Sequence, residues 1–194
     1  MRKATLGRAT RETNIRVELC LEGGSAADVC TGIPMFDHLL GQFAFHGKLD
    51  LALVATSLDG IRHHLIEDTA IALGTALNDA LGDRAGINRF GECTLPMDDA
   101  LVRAAVDFGG RGYARTALNL RVAEIDGLET LMIAHVLNSL AASARAALHV
   151  DRIAGENPHH IAEAAFKAVG RACAQACAFD AARPGVPSTK GTLV

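Results

Sequence analysis

No run of five or more like charges occurs in the 194-residue sequence, no stretch is apolar enough to span a bilayer, and no two of its five cysteines form a CxxC pair. Each absence excludes something. Without a charge block, and with a formal net charge of −3, the chain does not read as a nucleic-acid binder or a polybasic membrane-surface protein. Charged and polar residues recur through the first two dozen positions, so no signal-peptide apolar core can be drawn there, and no transmembrane segment follows. An odd number of cysteines fits free thiols in a reducing compartment better than a disulfide framework. These readings predict a cytoplasmic protein whose partners are small molecules or its own copies, with neither nucleic acid nor membrane among them.

What is present is enough apolar residue, 49% of the chain, to bury a sizeable core in one compact domain or two small fused halves. Ile15, Val17, Leu19 and Leu21 alternate with Arg16 and Glu18, which predicts a half-buried strand over 14–21 after a weaker one at 5–10. Phe36, Leu39, Leu40 and Phe43 fall at helical spacing within 35–46, and Gly47 can end that helix. A strand at 49–56 and a long helix at 63–80 follow, the latter stopping where Gly82 can turn left-handed. The second half runs in the same order, with strands at 89–95, 100–108 and 112–120, a helix at 128–147, a short strand at 148–153 and a helix at 159–179. The expected class is α+β: two fused similar half-domains, about 1–86 and 87–180 with a tail at 181–194. Each would be a mostly antiparallel sheet with two helices on one face.

A residue-level duplication underlies that order. HHLIEDTAIALG (63–74) superposes on HHIAEAAFKAVG (159–170) at a constant offset of 96, matching His63 with His159, His64 with His160, Glu67 with Glu163 and Gly74 with Gly170. A further histidine precedes each copy on the preceding helix: His38 lies 25 residues before His63, and His135 lies 24 before His159. Six of the eight histidines therefore belong to two matching sets, which scattered surface placement explains poorly.

On a helix, residues four apart share a face, so His63 points with Glu67 and His159 with Glu163. Adjacent residues differ by about 100° around the axis, so His64 and His160 must aim elsewhere and can serve a second metal. Imidazole nitrogens with one carboxylate suit zinc, manganese, iron or nickel, and the carboxylate leans toward manganese or iron. The spacing is not that of HExxH, which disfavours a zincin-type protease. Other features are weaker. Cys173 and Cys177, four apart, read as core; Gly109-Gly110-Arg111-Gly112 reads as a strand turn or a phosphate cradle; and Pro187 to Gly191 reads as a flexible end or an anion clasp.

Taken together, RATRETNI (8–15), TGIPMFDHLLGQFAFHG (31–47), HHLIEDTAIALG (63–74), INRFG (87–91), PMDDAL (96–101), Gly110-Arg111, NPHHIAEAAFKA (157–168) and PSTKGTL (187–193) resemble the imidazole-glycerol-phosphate dehydratase family of histidine biosynthesis. The likeness runs nearly end to end. It implies a hydro-lyase that forms imidazole-acetol phosphate, with two manganese ions per site, in a 24-subunit shell whose sites lie between subunits. It implies that His38, His63, His64, Glu67, His135, His159, His160 and Glu163 are metal ligands and that Glu12 is an acid/base group. Gln42 and His46 would line the substrate pocket, and Arg89, Arg111, Lys167, Ser188 and Lys190 would hold the substrate, chiefly its phosphate. Arginine and lysine suit that last task. The proton to be lost is not acidic, so the ring is expected to expel the hydroxyl as an imidazolate held by both metals, with Glu12 shuttling a proton.

Two departures stand out. The family usually has two acidic residues before the first His-His pair, where this chain has Ile61 and Arg62, which predicts weaker metal binding or a lost acceptor for an imidazole. Leu131, Val136 and Leu137 stand where relatives have a glutamate and aromatics around His135. Two rival readings remain at this point: a non-catalytic, metal-stapled assembly protein, which leaves Glu12, Arg89 and Lys190 unexplained, and a metallohydrolase with an activated water.

Overall fold

A computed structural model describes residues 1–193. The first half runs β1 (Lys3–Ala9), β2 (Thr13–Cys20), β3 (Ala27–Cys30), α1 (Pro34–Gly47), β4 (Asp50–Ser57) and α2 (Arg62–Leu81). The second runs β5 (Phe90–Met97), β6 (Ala100–Asp107), β7 (Tyr113–Ala117), a small hairpin of β8 (Glu124–Ile125) and β9 (Leu128–Glu129), then α3 (Thr130–Ser143), β10 (Ala147–Ala154) and α4 (Pro158–Cys177). The sheets have the same strand order, β1-β2-β4-β3 and β5-β6-β10-β7. Each is mixed, since β3 runs parallel to β4 and β7 to β10 across a helical crossover while the other pairs are antiparallel.

Period-two patterning decides which sheet face is inside. Ile15, Val17 and Leu19 are buried while Asn14, Arg16 and Glu18 face out. Helices α1 and α2 cover the inner face of the first sheet, α3 and α4 that of the second, and the two helix layers meet, α1 against α4 and α2 against α3. Phe36, Phe43, Phe108 and Phe166 fill the centre.

The duplicated glycines make that meeting close. A Cβ on Gly74 of α2 would stand 2.5 Å from the Leu140 carbonyl oxygen of α3, and one on Gly170 of α4 would stand 2.4 Å from that of Phe43 on α1. Only glycine lets the backbones approach so far. The first-half helix of each pair therefore comes from one repeat and its neighbour from the other.

Two elements differ from the sequence expectation, and the tail, left open there, has a definite place. Strand β3 is short and pairs with a strand more than twenty residues away, so no local alternation announces it. Helix α3 begins at Thr130 rather than 128, because Leu128 and Glu129 pair back on Ile125 and Glu124. The C-terminal tail folds against the Gly110 turn: a Cβ there would lie 1.8 Å from the Leu193 carbonyl oxygen, and Leu193 is buried. Among the described residues no helix is long and apolar enough to cross a membrane.

Candidate metal centre

Because α1 lies on α4 and α2 on α3, the duplicated histidines and glutamates meet across the repeats. His38 on α1 has Nε2 3.0 Å from Glu163 Oε2 on α4, and His159 Nε2 lies 3.2 Å from that same oxygen. In the other set Glu67 on α2 lies between His63 (3.7 Å) and His135 on α3 (3.2 Å). In each triad one donor atom from every member falls within 4.8 Å of the other two. The i, i+4 spacing supplies the His–Glu pair, and helix packing supplies the third member.

Both triads fit a divalent transition metal by their donors, two imidazoles and a carboxylate. His135 Nε2 adds a specific sign: it is shut off from solvent and has no hydrogen-bond partner among the described residues, although a Glu67 oxygen lies 3.2 Å away. A polar atom buried in that state is costly, and a cation between it and the carboxylate would remove the cost. Burial alone would raise the Glu163 carboxyl, but hydrogen bonds and charge from Lys167 and His38 outweigh it and hold the group down to about 2. The carboxylate is thus ionised, as a metal-binding role would require.

His64 and His160 do not join the triads of their own chain. Their rings stand at 88° to those of His63 and His159, with centroids 6.2 and 6.3 Å away. Asp59 Oδ2 lies 2.7 Å from His64 Nδ1, and Asp99 Oδ1 lies 2.7 Å from His160 Nδ1. A carboxylate on one ring nitrogen presents the other for a metal. Asp99 accepts from the backbone N–H groups of Glu156 and Asn157 (2.7 and 3.0 Å), which together with His160 hold its carboxyl well below the usual range. The Asp59 bond raises the His64 pKa. So the acceptor that Ile61 and Arg62 fail to offer His64 comes instead from Asp59, four residues before the pair. Arg62 turns away and donates to the Gly127 carbonyl at 2.6 Å.

Glu12 gathers with Asp59 and His64, its Oε2 3.9 Å from His64 Nδ1. It is placed by its backbone: the Glu12 carbonyl accepts from Leu58 N–H (2.7 Å), and the adjacent, fully buried Thr13 donates its hydroxyl to Asp68 on α2 (2.6 Å).

The remaining candidates separate. Gln42 and His46 follow His38 at four-residue steps along one side of α1. Burial first, then the Lys167 and Arg171 charges, lower the His46 pKa. Lys167 sits beside the His38–His159–Glu163 triad, its Nζ 2.7 Å from Glu163 Oε1 and 3.7 Å from Met97 Sδ. Arg89, Arg111, Ser188 and Lys190 line a cleft of about 590 Å³ between the Gly109–Gly110 turn and the tail. Within it Arg89 is already engaged, bidentate to Asp107 (2.7 and 3.0 Å) and donating to the Pro187 carbonyl (3.1 Å). The sequence reading missed Asp59, Asp99 and Asp126; each sits beside a tight turn, and the Asp59-Gly60 and Asp126-Gly127 dipeptides were the available signal for two of them.

The Imidazoleglycerol-phosphate dehydratase family model matches residues 31–173. The chain is 48% identical over 193 residues to the imidazoleglycerol-phosphate dehydratase of Parafrankia sp. (strain EAN1pec), covering 99% of each, and 47% identical to that of Moorella thermoacetica, covering 99% of this chain and 98% of the relative. Among solved structures, the enzyme of Pyrococcus furiosus superposes with a TM-score of 0.84 at 38% identity, over 96% of this chain and 99% of that one. That of Staphylococcus aureus gives 0.83 at 29%, over 92% and 99%.

Proposed function

This chain belongs to the imidazoleglycerol-phosphate dehydratase family and removes water from imidazole-glycerol phosphate, and from that premise we propose that its two His-His-Glu triads are parts of a two-cation active site completed between subunits. The observation that carries the reading is the cross-repeat assembly of His38–His159–Glu163 and His63–Glu67–His135, with His64 and His160 held at Nδ1 and directed away from both. His64 and His160 would then complete the triads of neighbouring copies. Such an exchange would make the site a property of the assembly, which we infer to be a 24-subunit shell in the cytoplasm. Manganese, two ions per site, suits the nitrogen-and-carboxylate donor set.

Bound divalent ions would supply Lewis-acid stabilisation of negative charge on the substrate's imidazole ring. The chain's own groups do the rest. A carbon-bound proton must leave, the hydroxyl on the neighbouring carbon departs as water, and the enol becomes the ketone. Glu12, half exposed and beside His64, is the carboxylate placed to move a proton. Gln42 and His46 would flank the ring on the α1 side, and Lys167 would fix Glu163 by its charge. Arg111, Ser188 and Lys190 would take the phosphate in the tail cleft, with Arg89 holding that cleft in shape. Anchoring the phosphate lets binding energy orient the reacting end.

The test is to strip the purified protein with a chelator, add imidazole-glycerol phosphate with and without Mn(II), and assay imidazole-acetol phosphate. Product with Mn(II) and none without it is expected, together with a large particle in sedimentation. A protein that takes up Mn(II) yet yields no ketone overturns the reading.

A further inference from the structure

The β8–β9 hairpin reaches the helices of both triads. Its turn is Asp126-Gly127, with φ of 47° and 78°, and positive φ at both central residues is what a two-residue type I′ turn demands. Glu124 pairs with Glu129 and Ile125 with Leu128, the side chains of Ile125 and Leu128 are buried, and the Thr130 hydroxyl donates to the Val122 carbonyl at 2.6 Å. The turn is therefore presented from a fixed base. From it Asp126 Oδ2 stands 2.7 Å from His159 Nδ1, while Arg62, at the start of α2, donates to the Gly127 carbonyl at 2.6 Å.

We propose that Asp126 is a positioning residue for the His38–His159–Glu163 triad, and that Arg62, although next to His63 in sequence, serves this same triad by anchoring the turn that carries Asp126. The inference rests on the reading that the triads bind cations. A carboxylate at Nδ1 keeps the proton there, sets the ring plane and leaves the Nε2 lone pair, 3.2 Å from Glu163, for the metal. His63, the repeat counterpart of His159, has no such acceptor among the described residues, so the hairpin makes the two triads unequal. Charge alone predicts something different for Arg62: removing a cation beside His63 should tighten metal at His63–Glu67–His135 and leave the other triad unaffected.

Mn(II) titration of the full-length apoprotein, by calorimetry and by the manganese paramagnetic resonance signal, separates these. On an E67Q background, where His38–His159–Glu163 is the intact set, D126A should weaken Mn(II) binding about 10–100-fold. D126N, which retains a carbonyl oxygen as acceptor, should lose less. R62A should weaken the same set, and R62A/D126A should be no weaker than D126A alone, the sign of one shared effect. Parental affinity in D126A, or in D126N should D126A not fold, overturns the proposal. So does an R62A variant that leaves this set unchanged but binds Mn(II) more tightly on an E163Q background. A wild-type protein that takes up no Mn(II) removes the two-cation reading itself, and this inference with it.

Discussion

His38 Nε2 on α1 and Glu163 Oε2 on α4 lie 3.0 Å apart, although 125 positions and the boundary between the two repeats separate them. His135 and Glu67 mirror the contact at 3.2 Å. The two repeats each carry a His, His-His and Glu set, and helix packing exchanges one histidine between the sets. H38A and H159A should therefore abolish the same Mn(II) site, with the double variant no worse than either, while H38A and H63A should remove different sites. Equilibrium dialysis with metal analysis checks this. Additive losses for H38A and H159A would assign them to separate ions.

The exchange depends on how near the helices come. Adding a methyl group at Gly74 or Gly170 drives it into a carbonyl oxygen 2.5 or 2.4 Å away, which must force the helices apart. G74A or G170A should cost about 1–3 kcal/mol, read as a lower melting temperature of the apoprotein. G170A should weaken metal at the His38 triad more than at the His135 triad, and G74A the reverse. Unchanged melting would mean that the helices separate freely and that close approach is not what places the ligands.

The matched glycines were legible in the sequence as part of the repeat, as were HHxxE and the strand-and-helix order of both halves. What they pack against was not. Spacing reveals which side of a helix a residue shares with another, but never which helix lies opposite, so the pairing of His38 with Glu163 rather than Glu67 had no local signature. The parallel strand β3 depends on a distant partner, and Leu128 belongs to a hairpin though it continues the apolar pattern of α3. The resemblance groups Lys167 with the phosphate contacts; its bond to Glu163 comes from the same i, i+4 geometry that pairs Glu163 with His159.

Arg89 and Arg111 face the same cleft, yet their substitutions should differ. Arg111 and Lys190 have no ion-pair partner among the described residues, and R111A or K190A should raise KM through a lost charge-assisted contact of roughly 1.5–3 kcal/mol while the tail stays protected from proteolysis. Arg89 ties Asp107 to the Pro187 carbonyl, so R89A should release the tail to proteases as well as weaken binding. Equal protection in R89A and wild type would make Arg89 a simple phosphate ligand.

Cys173 and Cys177 are buried on α4, and burial pushes both thiols up, Cys177 to about 12. A thiol so far from ionisation is a poor nucleophile. Native protein should leave these two unmodified by a disulfide reagent at neutral pH, and denaturant should expose them. Modification of either in the folded protein would contradict the packing of α4 against β5.

Glu163 makes the apoprotein acid-sensitive in a definite window. Its folded carboxyl is held at about 2 against an ordinary 4.5, so the carboxylate favours the folded state. That contribution is fully present above about 4.5 and disappears as pH falls through about 2. E163Q cannot lose a charge there, so its stability should fall less steeply than wild type between those limits, measured by denaturant unfolding of metal-free protein. K167M should act on the same curve from the other side. Without the ammonium, 2.7 Å from Oε1, the burial that opposes ionisation is less fully offset, and the carboxyl should titrate nearer its ordinary value. Parallel acid slopes for wild type, E163Q and K167M would show that the Lys167–Glu163–His38 contacts contribute nothing to the ionisation that a metal-binding role for Glu163 requires.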